Sequence, residues 1–113
     1  MVGVLAVALA LAAGAHSPKE AVQRFIENRS PADACAQLAP AYKAAIQKQY
    51  GPCIQGMKIQ PKATHIRVYD QKIRGAKATV QARYDANGAS FHELYTCALS
   101  HRVWLITGSK QIP

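Results

Sequence analysis

Asn87-Gly88 sits between two runs that alternate apolar and polar residues, and no other feature of the chain constrains its fold as much. Upstream, Ala76, Ala78, Val80, Ala82 and Tyr84 alternate with Lys77, Thr79, Gln81 and Arg83. That period of two marks a strand with one buried face. Asn-Gly is the strongest short signal for a two-residue hairpin turn, because both of its residues tolerate positive φ. The turn length then sets the register: Tyr84 faces Phe91, Ala82 faces Glu93, Val80 faces Tyr95, Ala78 faces Cys97 and Ala76 faces Leu99. A second hairpin turns near His101-Arg102 and sets Leu99 against Trp104 and Cys97 against Ile106. Thr64, Ile66 and Val68, alternating with His65, Arg67 and Tyr69, supply one more strand. The expected sheet is a four-stranded antiparallel meander.

Before residue 58 the period is helical. Ser17-Pro18-Lys19-Glu20 is a capping box with Pro at the first helical position. It predicts a helix over about 18–29, with Val22, Phe25, Ile26 and Arg29 on the inward stripe. Ser30-Pro31-Ala32-Asp33 repeats the signal and predicts a short helix over about 31–38 that points Ala34, Cys35 and Leu38 inward. Pro40 opens a third helix, with Tyr42, Ala45, Ile46 and Tyr50 on one face and Lys43, Gln47 and Lys48 in water; Gly51-Pro52 ends it. The fold class is therefore α+β, about three N-terminal helices packed on a curved four-stranded meander.

Residues 2–13 form an uncharged apolar run that ends in the small-x-small site Ala13-Gly14-Ala15. This predicts a signal peptide over 1–15, cleaved before His16, and a mature domain over 16–113. No Lys or Arg precedes the run, and an uncleaved N-terminal anchor is the alternative. The run is too short to span a bilayer comfortably, so no transmembrane helix is expected in the mature chain. Export places the protein outside the cell or in a bacterial envelope, where cysteines pair. Of the three cysteines, Cys35 and Cys53 bracket the third helix, while Cys97 lies mid-strand on the inward face. Cys35–Cys53 is the expected disulfide, and Cys97 the expected buried free thiol. No C-x-x-C spacing supports a metal site, and no cofactor is expected. All fourteen Lys and Arg and all six acids lie beyond residue 15, so the mature domain keeps the formal charge of +8. Such a balance suits an anionic partner, or simply keeps a small domain soluble.

The order of elements resembles the nuclear transport factor 2-like domains of the cystatin-like fold, alongside ketosteroid isomerase and the SnoaL-like cyclases. Three stretches carry the resemblance. Ser17–Ile26 resembles the opening helix, and Ala34-Cys35 through Tyr50-Gly51-Pro52-Cys53 the cysteine-bracketed helices of small exported members. Leu94–Ile106, ending in Val103-Trp104-Leu105-Ile106, resembles the closing hairpin, although Ser100-His101-Arg102 replaces its usual acidic-Gly turn. The resemblance implies a cone whose mouth is often a ligand pocket. It implies a shape more than a reaction, and the role expected is an exported binding or accessory module rather than an enzyme. A plain cystatin-type domain is the alternative, and three helical segments argue against it.

Two constellations carry chemistry. Glu93 shares the inward face with Tyr84, Phe91 and Tyr95, and the candidate pocket adds Trp104. Apolar surroundings disfavour a carboxylate's charged form and raise its pKa, which suits a general base near neutral pH. Glu93 is thus the candidate catalytic residue of a ketosteroid isomerase- or cyclase-like alternative; the plain alternative is a carboxylate that reaches water or a Lys or Arg partner. Outward, Arg67, Lys77 and Arg83 form a basic face fit for an anionic surface polymer, or a solvated sheet surface. Aromatic residues are too sparse there for a single-strand nucleic-acid platform, so no specific nucleic acid is expected. The partners expected are a small apolar ligand or an anionic polymer, with the chain a monomer or homodimer. Asp70 and Asp85 are expected to cap strand ends. Asn28-Arg29-Ser30 matches a glycosylation sequon, but Pro31 follows.

Overall fold

Four helices precede four strands in the computed structural model, which describes residues 14–113. The helices are α1 (Pro18–Glu27), α2 (Pro31–Ala36), α3 (Pro40–Tyr50) and α4 (Cys53–Ile59). The strands are β1 (Thr64–Arg74), β2 (Lys77–Ala86), β3 (Ala89–Ser100) and β4 (Val103–Gln111). They form one antiparallel sheet in the order β1-β2-β3-β4. The fold is α+β, with one helix more than the expected three. The apolar run through residue 13 lies outside the described residues, so the signal or anchor expectation rests on sequence alone. Among the described residues, no helix is long and apolar enough to cross a membrane.

Both serine caps form. The Ser17 and Ser30 hydroxyls accept from the Glu20 and Asp33 N–H groups, each with Pro at the helix start. α1 stops earlier than the periodicity predicts because Asn28 takes a left-handed conformation (φ 47°) and donates its N–H to the Arg24 carbonyl. The turn swings Arg29 out to pair with Glu27 at 3.2 Å, so Arg29 is not part of the buried stripe. Ala21, Val22 and Ile26 form that stripe, and α1 packs against all four strands.

α3 buries no residue fully. Tyr42 and Ile46 pack on the core, but Tyr50 is 76% exposed, and Gln47 is not on the wet side. Its side-chain carbonyl accepts from the Cys53 N–H at 2.9 Å and so starts α4 from outside. That explains why α4 is not legible locally: it has no side-chain cap of its own and carries Gly56 in its interior. The Cys35–Cys53 disulfide ties α2 to the first turn of α4, and Cys97 is a buried free thiol.

The sheet follows the register set by the turn: Tyr84 faces Phe91, Ala82 faces Glu93, Val80 faces Tyr95, and Cys97 lies between Ala78 and Ile106. Asp70 and Asp85 lie inside β1 and β2 and do not cap strand ends, because both strands run longer than the alternation shows. β1 continues past Tyr69 through an irregularity at Asp70 (φ 54°). At the β4 edge, residues 37–39 pair alongside Ile106, which donates to the Gln37 carbonyl and accepts from the Ala39 N–H. Gly14 and Ala15 also pack on β4. Ala15 is fully buried and its carbonyl accepts from the Trp104 N–H at 3.1 Å. A Cβ on Gly14 would collide with the Val103 side chain. The core joins this segment to α1, the disulfide, and the inward residues of β2, β3 and β4.

Candidate functional site

The end of α1, the α4–β1 connection and the Asn87-Gly88 hairpin enclose a cavity of about 310 Å³. Phe25, Ile26, Met57, Tyr84 and Phe91 supply most of its apolar wall. Tyr84 and Phe91 are a directly opposed cross-strand pair, and their rings stack with centroids 5.2 Å apart. Cross-strand pairing thus gives the cavity a rigid aromatic side. Asn28, Gln60 and Asn87 are its polar lining residues, and of these Asn28 alone is buried. The left-handed turn that ends α1 buries this residue to 6% exposure. Its Nδ2 donates to the Met57 carbonyl at 2.7 Å, and Lys62 Nζ donates to its backbone carbonyl. Its Oδ1 is buried and has no hydrogen-bond partner. A nitrogen committed to Met57 is closed to glycosylation, which agrees with the Pro31 that follows the sequon.

Glu93, Tyr95 and Tyr84 lie on the same side of the sheet, as the register requires. The Tyr95 hydroxyl donates to Glu93 Oε1 at 2.6 Å, and its ring meets Phe25 edge-on at 6.3 Å. Burial first, then the Glu93 charge, pushes both phenols well above the ordinary tyrosine range. They are therefore neutral donors at physiological pH. Glu93 and Tyr95 are not among the cavity's lining residues, whereas Tyr84 and Phe91 are. Trp104 is buried elsewhere, opposite Leu99 towards the other end of β3. Of the residues proposed from sequence for a pocket, Tyr84 and Phe91 lie in the wall of this cavity, and Tyr95 and Trp104 lie outside it.

On the helix-free face, Arg67 lies over the Tyr69 ring at 4.7 Å and Arg83 Nε donates to the Tyr69 hydroxyl at 3.2 Å. That hydroxyl also meets His92 Nε2 at 2.8 Å. Lys77 is set apart, at a groove of about 670 Å³ shared with Lys72, Arg74, Thr79, Thr96 and Thr107. Among the described residues, no group of His, Cys, Asp and Glu is arranged to hold a metal ion. Asn28, Met57 and Phe25 are absent from the sequence-based site. Asn28 carried a readable signal, since Asn after a helix is a left-handed cap, but Met57 lies in the helix that has no local start.

No family model matches the chain, and no curated protein matches it. Among solved structures, its fold is similar to that of a SEC-C motif containing protein from Rhodopseudomonas palustris, determined in solution. The TM-score is 0.67 at 17% identity, covering 93% of this chain and 86% of that one. At that identity the likeness is one of fold. It corrects the resemblance to nuclear transport factor 2-like, SnoaL-like and ketosteroid isomerase-like domains of the cystatin-like fold: the structural likeness is to a SEC-C motif containing protein. The error has a physical source. Helices followed by a hairpin-linked meander is an order that short connections produce in many lineages. The stretches Ser17–Ile26 and Leu94–Ile106 report capping and burial, which any such fold needs.

Proposed function

We propose that this chain is an exported binding or accessory module that holds a small, mostly apolar ligand bearing one hydrogen-bond donor. The observation that carries the reading is Asn28: a buried carbonyl oxygen without a partner, on a residue that lines a cavity. Leaving such an acceptor unpaired costs about 1–3 kcal/mol, and a donor on a bound ligand removes that cost once the Asn28 side chain turns its closed-off oxygen toward the cavity. A volume of about 310 Å³ falls at the small end of ligand pockets, where apolar walls and few polar groups are the rule. Export, as part of the proposal, agrees with the disulfide, which an oxidising compartment preserves. Fractionation of cells expressing the chain with and without residues 1–15 tests that part.

Indole and benzothiophene share a shape and differ in one N–H donor, so they serve as probes. Indole is expected to bind more tightly and to shift the resonances of Asn28, Met57 and Phe91. Equal binding of the two, or shifts elsewhere, would overturn the reading.

A proton-transfer enzyme with Glu93 as base is the second reading, supported by a carboxylate and two neutral phenols on one face. Binding is preferred because Glu93 is tied to Tyr95 and is not part of the cavity wall. Turnover of a ketone substrate that disappears in Glu93→Gln would reverse that preference.

A further inference from the structure

The helix-free face of the sheet has a built hollow. Register places Lys72, Thr79, Thr96 and Gly108 in one row across all four strands, with Arg74 and Lys77 paired in the next row. Two strand irregularities fall at this row, one between Tyr69 and Lys72 and one between Thr96 and Cys97. A bulge bends its strand and sharpens the local twist, so two of them on the same row curve the face. The groove of about 670 Å³ lies there.

We propose that this groove binds the phosphate ester of a polyol. Lys72, Arg74 and Lys77 take the phosphate, and the hydroxyls of Thr79, Thr96 and Thr107 take the polyol. Among the described residues, no ion pair engages Arg74 or Lys77, and Lys72 reaches only Asp70, at 4.0 Å in an exposed setting. Exposed pairs of that kind contribute little, so three cations at one end of a hollow await an anion. Arg74 adds the planar donor fork that matches phosphate oxygens.

The hydroxyls select what the phosphate is attached to. Thr107 donates to the Thr96 hydroxyl at 3.1 Å, which leaves the Thr96 proton to be given to another acceptor. Gly108, opposite Thr96, keeps the floor open: a Cβ there would come within 2.9 Å of the Thr96 hydroxyl. No aromatic residue lines the groove, so a nucleotide base would find nothing to stack on. Arg67 and Arg83, the arginines that sequence alone points to, are held on Tyr69 at the far end of this face.

The test is an NMR titration at low salt with glycerol phosphate, inorganic phosphate, glycerol and poly(glycerol phosphate). Glycerol phosphate is expected to shift the Thr79, Thr96 and Ala98 amides and to bind about tenfold more tightly than inorganic phosphate, the equivalent of one or two added hydrogen bonds. Glycerol alone should not bind. Arg74→Gln with Lys77→Gln should weaken both phosphates by tenfold or more. Thr96→Val should abolish the preference for the ester while inorganic phosphate binds as before, and Gly108→Val should weaken the ester at unchanged charge. Tighter binding of the polymer, per phosphate, than of glycerol phosphate identifies a polymeric source; equal binding identifies a free ester. Equal affinity for inorganic phosphate and glycerol phosphate, shifts centred on Arg67 and Arg83, or no shifts at low salt would each overturn the proposal.

Discussion

The Tyr95 hydroxyl reaches Glu93 Oε1 at 2.6 Å from two residues further along the same face of β3. A carboxylate on the helix-facing side of a sheet is costly unless something donates to it. Here the donor is a phenol only 3% exposed, so each group satisfies the other. Glu93→Gln keeps an acceptor but loses its charge, and should cost about 1 kcal/mol. Glu93→Ala strands a buried hydroxyl and should cost about 1–3 kcal/mol. Adding Tyr95→Phe to Glu93→Ala should then cost less than the two single changes summed. Strict additivity in urea unfolding would show that the bond contributes nothing.

The two phenols also set the response to alkali. Burial, then the Glu93 charge, raises the pKa of Tyr84 and Tyr95 above 10.0. The folded state therefore holds their protons more tightly than the unfolded chain. That stability is complete below about pH 10 and is lost as pH rises beyond it. Cys97 acts in the same sense over a lower window, since burial lifts its thiol from 9.0 to about 11. The melting temperature should decline above pH 9, less steeply in Cys97→Ala and, beyond pH 10, less steeply in Tyr95→Phe. Parallel profiles for all three proteins would contradict this account.

What was legible in the sequence was what neighbouring residues decide. Asn87-Gly88 set a register that holds from Tyr84–Phe91 to Ala78–Cys97, and Ser17 and Ser30 set two helix starts. The disulfide followed from where Cys35 and Cys53 fell between those elements. The cavity was not legible because residues distant in sequence build it. α4 owes its first capped N–H to Gln47 on another helix, and without α4 neither Met57 nor the bond from Asn28 can be placed. The pairing of Glu93 with Tyr95 was not legible either: the register puts them on one face, but rotamers decide whether they touch.

The Cys35–Cys53 bridge should matter most to the helical half. It closes a loop with a sequence separation of 18, worth roughly 3 kcal/mol on the chain-entropy model. α3 buries nothing fully and α4 buries only Cys53, so little else restrains the pair. Replacing both cysteines with serine should lower the melting temperature, and limited proteolysis should cut first between residues 47 and 60. An unchanged digestion pattern would move the weak point elsewhere.

A chain that begins at His16 loses Ala15, which is fully buried and accepts the Trp104 N–H. Leaving that donor unpaired costs about 1–3 kcal/mol, equivalent to roughly 5 °C or more in a domain of this size. A chain starting at Gly14 should therefore melt higher than one starting at His16. Identical melting curves would show that this segment does not hold the β4 edge.

The β3–β4 turn carries strain that substitution can relieve. His101 and Arg102 have φ of 50° and 66°, both left-handed, as a two-residue turn between Ser100 and Val103 requires. Asn87 and Gly88 meet the same demand at 52° and 79° with residues suited to it. A bulky residue in the left-handed region costs about 1 kcal/mol or somewhat more, while Gly adopts it freely. Arg102→Gly should therefore stabilise the protein by up to about 1 kcal/mol, reduced by Gly's greater freedom when unfolded. His101→Asn with Arg102→Gly should stabilise it further, by making the turn match the one at residues 87–88. Denaturant midpoints measured for the three chains should rise in that order. A lower midpoint in Arg102→Gly would mean that the Arg102 side chain contributes more than the relief of its backbone.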